Sequence, residues 1–149
     1  MNSESDRIRQ AFLPPVVIYT RLRPEGFVLN GTGEPVAQIQ GRVERVNLLR
    51  KRFVDSVLVC TSPDGIQSRS GLLCDECLHP QCRPQLRVNL RSGSSIYVIH
   101  LSNTSAENFF RLEDEAKNRG EDLVDWIVRL KVQDRGRWGE VTFERIYPR

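Results

Sequence analysis

The 149-residue chain is poor in the features that mark enzymes and membrane proteins. It has only two histidines, and no G-x-x-x-x-G-K-S/T phosphate loop, G-x-S-x-G elbow or H-E-x-x-H pair occurs. Glu113, Asp114 and Glu115 are consecutive on a predicted helix, so they diverge and cannot hold one ion. The constellations of a catalytic site are missing, and the chain is expected not to be an enzyme. No apolar run approaches the roughly 18 residues of a membrane helix. The longest, residues 12–19, is broken by Pro14 and Pro15. The opening MNSESDRIRQ lacks the apolar core of a secretory signal, so a cytoplasmic protein without a membrane partner is expected.

With 39% hydrophobic and 28% charged residues, the chain reads as one globular domain that can bury a core without disulfide staples. The net charge of +3 alone argues for no partner. Its distribution is more informative. Residues 41–60 hold five basic and two acidic side chains, whereas 103–122 hold three and six. Such asymmetry suggests a basic face that attracts phosphates; the alternative is an ordinary mixed surface.

Hydropathy divides the chain near residue 38. Residues 1–37 read as an N-terminal arm with short strands at 16–19 and 27–29, punctuated by proline and glycine. Residues 38–149 read as the main domain. Ile39, Val43 and Val46, in a stretch ending at Phe53, predict one long bent strand or two, and 54–61 predicts another. Leu86, Val88 and Leu90 alternate with Arg87, Asn89 and Arg91, the period of a half-buried strand. Residues 96–101 predict a further strand. Thr104 and Glu107 have capping-box spacing at a helix start. Ala106, Phe109, Phe110, Leu112 and Ala116 supply its apolar stripe, and Gly120 ends it. Val124, Trp126, Val128, Leu130 and Val132 alternate as a strand with Trp126 in the core. Residues 134–137 make a turn, and 140–146 the last strand. This layout predicts a mainly β fold with one helix, an OB-like five-stranded barrel. A generic α+β sheet packed on one helix is the alternative.

All four cysteines fall between residues 60 and 82. Cys74 and Cys77 form a C-x-x-C pair, Cys82 follows, and Cys60 stands at a strand end. Tetrahedral Zn2+ takes four sulfur or imidazole ligands, so Cys60, Cys74, Cys77 and Cys82 form a candidate structural zinc site in a loop spanning 60–84, with His79 a substitute ligand. Redox thiols, disulfides and plain buried cysteines are the alternatives. Four thiolates and one zinc carry −2, which would bring the chain to about +1. A nucleic-acid partner must then be argued from basic clusters.

A β-barrel carrying a four-cysteine zinc loop resembles the zinc-bearing OB domains of single-stranded DNA-binding proteins, such as the large subunit of replication protein A. The resemblance lies in architecture over residues 38–147. It implies a binding module whose zinc loop braces the barrel beside a nucleic-acid groove.

Single-strand binders need cations along a groove and aromatic faces for stacking. Arg50, Lys51 and Arg52 are consecutive, with Arg42 and Arg45 before them on the same predicted strand. Arg87 and Arg91 lie opposite the Leu86 face, and Arg129 and Lys131 opposite Val128 and Leu130. Trp138, between Gly136 and Gly139, is the candidate exposed ring. Arg50, Lys51, Arg52, Arg87, Arg91, Arg129, Lys131 and Trp138 therefore form the expected interface with single-stranded nucleic acid. The competing expectation is a protein-interaction subunit that docks through the zinc loop and the acidic helix.

Overall fold

The computed structural model describes residues 14–54, 57–62 and 82–148, together with Glu4 and Arg69, and no side chain between 52 and 59. It is mainly β with one helix. The strands are β1 (Val16–Arg23), β2 (Gly26–Leu29), β3 (Gln38–Val54), β4 (Val57–Ser62), β5 (Cys82–Ser92), β6 (Ser95–Leu101), β7 (Ile127–Asp134) and β8 (Gly139–Tyr147); helix α1 (Asn103–Asn118) lies between β6 and β7.

The long strand β3 organises the sheet. Residues 38–41 pair antiparallel with β7, and 42–52 pair antiparallel with β5 on the other edge. Serving two partners requires a bend, which two local features supply. At Gly41 a Cβ would lie 2.1 Å from the Arg91 carbonyl oxygen, so only glycine admits the backbone of β5 there. Three residues on, the register shifts between Val43 and Arg45, leaving Glu44 as the extra residue of a bulge.

The rest of the sheet follows as β2-β1-β6-β5-β3-β7-β8, with β4 pairing the far end of β3. The two short apolar stretches before residue 38 are β1 and β2. Strand β1 pairs parallel with β6, Tyr19 opposite Val98. The sheet curls into a half-barrel until its ends approach one another. Gly139 of β8 comes so close to β1 that a Cβ there would lie 2.5 Å from the Arg23 carbonyl oxygen.

The concave side holds the core, with Phe27, Val88, Leu90, Ile99, Leu101 and Trp126 all fully buried. Helix α1 seals it with Phe109, Leu112 and Ala116. Removing a large apolar side chain from such a site costs about 3–5 kcal/mol for a phenylalanine. Two polar ties fix the helix to β8: Ser105 Oγ accepts from Val141 N at 2.9 Å, and Asn108 Nδ2 donates to Val141 O at 2.9 Å. The helix ends at Gly120 (φ 67°), where Glu121 N donates back to Ala116 O at 2.9 Å.

Three local expectations are corrected. The capping box does not form: the helix starts at Asn103 with Ser102 as N-cap and no side-chain cap bond. Phe110 is 48% exposed, because it lies one helical step past the buried Phe109. The strand expected from Val124 begins at Ile127, since Leu123–Asp125 form a 3-10 turn that leaves Val124 exposed while Trp126 is buried. Tyr97, placed opposite Leu90, packs partly buried against the core.

Candidate nucleic-acid interface

Successive strand residues point to opposite faces, and residues paired across strands share a face. Leu86, Val88 and Leu90 of β5 point inward, so Arg87, Asn89 and Arg91 stand on the convex face. The register extends that face sideways. Arg87 pairs with Asn47 on β3 and His100 on β6; Asn89 pairs with Arg45 and Val98; Lys51 pairs with Arg83.

The centre of this face is positive, and no acid compensates it among the described residues. Lys51 Nζ lies 3.4 Å from His100 Nδ1. An ammonium can only donate, so this ring nitrogen accepts and the neutral ring carries its proton on Nε2. Burial pushes the His100 pKa down to about 4, with Lys51 and Arg87 adding electrostatic repulsion. Lys51 is itself held below the usual lysine range, first by burial and then by Arg87. Arg45, Lys51, Arg83 and Arg87 have no carboxylate partner among the described residues. Arg87 Nε and the side-chain oxygens of Asn47, Gln85 and Asn89 are buried without a hydrogen-bond partner among the described residues. Leaving such groups unpartnered costs free energy.

His100 and Gln85 also line a groove of about 1010 Å³ between the β1–β2 hairpin, the start of α1 and the β7–β8 turn. Arg21 and Arg23 line it on the hairpin side, with Arg137 and Trp138 on the turn side. Trp138 is 46% exposed. His100, which lines this groove, also touches Lys51 and pairs across strands with Arg87, so the groove adjoins the basic face.

The other anticipated residues are dispersed. Arg50 pairs with Pro84, in phase with Leu86, and so lies on the opposite side of the sheet from Lys51. The backbone of Arg52 is in β3, but its side chain is outside the described residues. Arg91 shares the convex face but is held by Glu44, with Nη2 at 2.8 Å and Nε at 2.9 Å from the same Oε1. Arg129 and Lys131 pair with Gln40 and Gln38, beyond the bend in β3, and both face Glu144 at 3.7 and 3.9 Å. The groove arginines Arg21 and Arg23 were not among the sequence candidates. The alternation of Val17, Tyr19, Arg21 and Arg23 against Ile18, Thr20 and Leu22 is the signal that marks them.

Of the cysteines, Cys60 on β4 and Cys82 on β5 are half-buried, and each is in register with Arg52, one from either side. They stand in one cross-strand row, two strand spacings or about 10 Å apart. Cys74, Cys77 and His79 lie outside the described residues; among those described, no three ligating side chains cluster. No described helix is long and apolar enough to cross a membrane. No known protein family, curated protein or solved structure matches the chain.

Proposed function

We propose that this is a non-catalytic single-stranded DNA-binding protein that grips its ligand on the convex face of β3, β5 and β6. The observation that carries this reading is the meeting of Lys51 and Arg87 around a neutral His100, with no carboxylate partner among the described residues. A phosphate backbone supplies the missing anion, and the arginines neutralise it without reading bases. The pairing pattern supports an OB-like barrel. Strands β3, β5, β6, β7 and β8 serve as its five strands, with β3 antiparallel to both β5 and β7 and the helix before the last two. In that scheme β5 and β6 are the second and third strands, whose face binds oligonucleotides in OB-folds.

A structural zinc fits this reading. Cys60 and Cys82 bracket the segment that carries Cys74 and Cys77, and thiolates are soft ligands suited to zinc. The ion would hold that segment against the ends of β4 and β5. Four protein ligands leave no position open for water, so its contribution would be to folding.

The test is a fluorescence-anisotropy titration with single- and double-stranded oligonucleotides at two salt concentrations. The expected result is preference for the single strand, with affinity falling steeply as salt rises. No oligonucleotide binding, or binding indifferent to salt, overturns the proposal in favour of a protein partner docked on the acidic helix.

A further inference from the structure

We propose that β1 is a fourth strand of this interface, on which Tyr19 stacks a base and Arg21 takes the neighbouring phosphate. The inference rests on the single-strand-binding reading and extends it to the N-terminal hairpin. Tyr19 is 65% exposed, the most exposed of the large hydrophobic side chains among the described residues. Register places it in one row with the convex face: Tyr19 pairs with Val98, Val98 with Asn89, and Asn89 with Arg45. Three strand spacings, about 14 Å, therefore separate Tyr19 from Arg45.

The backbone beneath the ring is fixed. Tyr19 N donates to Asn30 Oδ1 at 3.0 Å, and Asn30 N donates to Tyr19 O at 2.7 Å. Asn30 has φ 53°, a conformation asparagine tolerates better than most residues. The strand position from which the ring projects is thereby set before a ligand arrives. Arg21 follows two residues on, in the same pleat phase, exposed and without an ion pair among the described residues. It opens onto the groove that ends at Arg137 and Trp138. A strand crossing β5 and β6 would meet Tyr19 and Arg21 on one side and Trp138 on the other.

The probe is fluorescein-labelled oligothymidine of about 16 nucleotides, the upper end of the site size of one OB-fold. Tyr19→Ala is expected to weaken binding about 5- to 150-fold, the range a lost stacking contact implies, without changing the salt slope. Tyr19→Phe keeps the ring and is expected to keep the affinity. Arg21→Ala is expected to flatten the slope of log affinity against log salt by about 0.7, one phosphate contact on a single strand. Melting curves check that each variant is folded. If Arg87→Glu abolishes binding while folded Tyr19→Ala and Arg21→Ala bind like wild type, the hairpin is not part of the interface, and the central reading survives. If wild-type protein fails to bind the oligonucleotide, both readings fall.

Discussion

Lys51 and His100, 49 residues apart in sequence, meet across the convex face with Nζ 3.4 Å from Nδ1. The contact stays favourable only while the ring is neutral. A protonated imidazole would bring a third positive charge beside Lys51 and Arg87.

This crowding has a consequence for stability. The His100 pKa is lowered from 6.5 to about 4, chiefly by burial and then by Lys51 and Arg87. In the unfolded chain the ring keeps its ordinary value. Between those two values the unfolded state binds the extra proton, so stability falls as pH drops through the window and levels off, for this group, below it. His100→Asn should remove that component, giving a melting temperature that declines less between about pH 6.5 and 4 than in wild type. In the folded protein an NMR titration of the ring should show a midpoint near 4. A midpoint at the ordinary imidazole value would mean that the ring is neither buried nor crowded by these charges.

The helix offers a contrast between neighbours. Phe109 is fully buried, edge-on to Phe143 with ring centroids 5.8 Å apart, while Phe110 is nearly half exposed. Phe109→Ala should cost about 3–5 kcal/mol in urea denaturation, and Phe110→Ala less than about 1 kcal/mol. Equal costs would show that the helix is rotated from the orientation described.

These elements show why part of the molecule is legible in sequence and part is not. Alternation over 86–91 places Arg87 outward because a strand has only two faces and the apolar side must turn in. Helical spacing identifies Phe109, Leu112 and Ala116 for a similar reason. The run Arg50-Lys51-Arg52 looks like one patch on paper, but pleating puts Arg50 and Lys51 on opposite sides. The pairing of Arg91 with Glu44 depends on the bulge at residue 44, which no local pattern announces. Strand β1 joins β6 across 79 positions, from Tyr19 at one to Val98 at the other, so periodicity within either segment is silent about their meeting. The groove that gathers Arg21, Arg23 and Trp138 depends on that non-local pairing.

For the cysteines the expectation is one zinc ion per chain, bound by Cys60, Cys74, Cys77 and Cys82. Cys77→Ser should lose the metal and much of the stability, because binding free energy is coupled to folding. Elemental analysis of protein purified without chelator provides the measurement, and absence of zinc would sink the site. Cys60→Ser and His79→Ala distinguish the ligand sets. Loss of metal in the first and retention in the second identify the four-cysteine set; the reverse substitutes His79 for Cys60.

The last prediction separates two arginines that look equivalent in sequence. Arg87 and Arg91 lie on the same face of β5, four residues apart. Arg91 is already engaged by Glu44, and both side chains are about 40% exposed, so part of its charge is cancelled before a ligand arrives. Arg87 has no carboxylate among the described residues and sits beside Lys51 and His100. A phosphate gains more from the unopposed guanidinium, because the exposed pair at Arg91 must be opened or shared first, at a cost of about 0–1 kcal/mol. Arg87→Ala should therefore weaken single-strand binding and reduce the salt slope by about 0.7. Arg91→Ala should do less, and Arg91→Ala combined with Glu44→Ala should lie close to wild type. Arg129→Ala and Lys131→Ala, beyond the bend and facing Glu144, should leave affinity unchanged. Equal losses at all four positions would show that binding responds to total charge, and that the face around His100 has no special part in it.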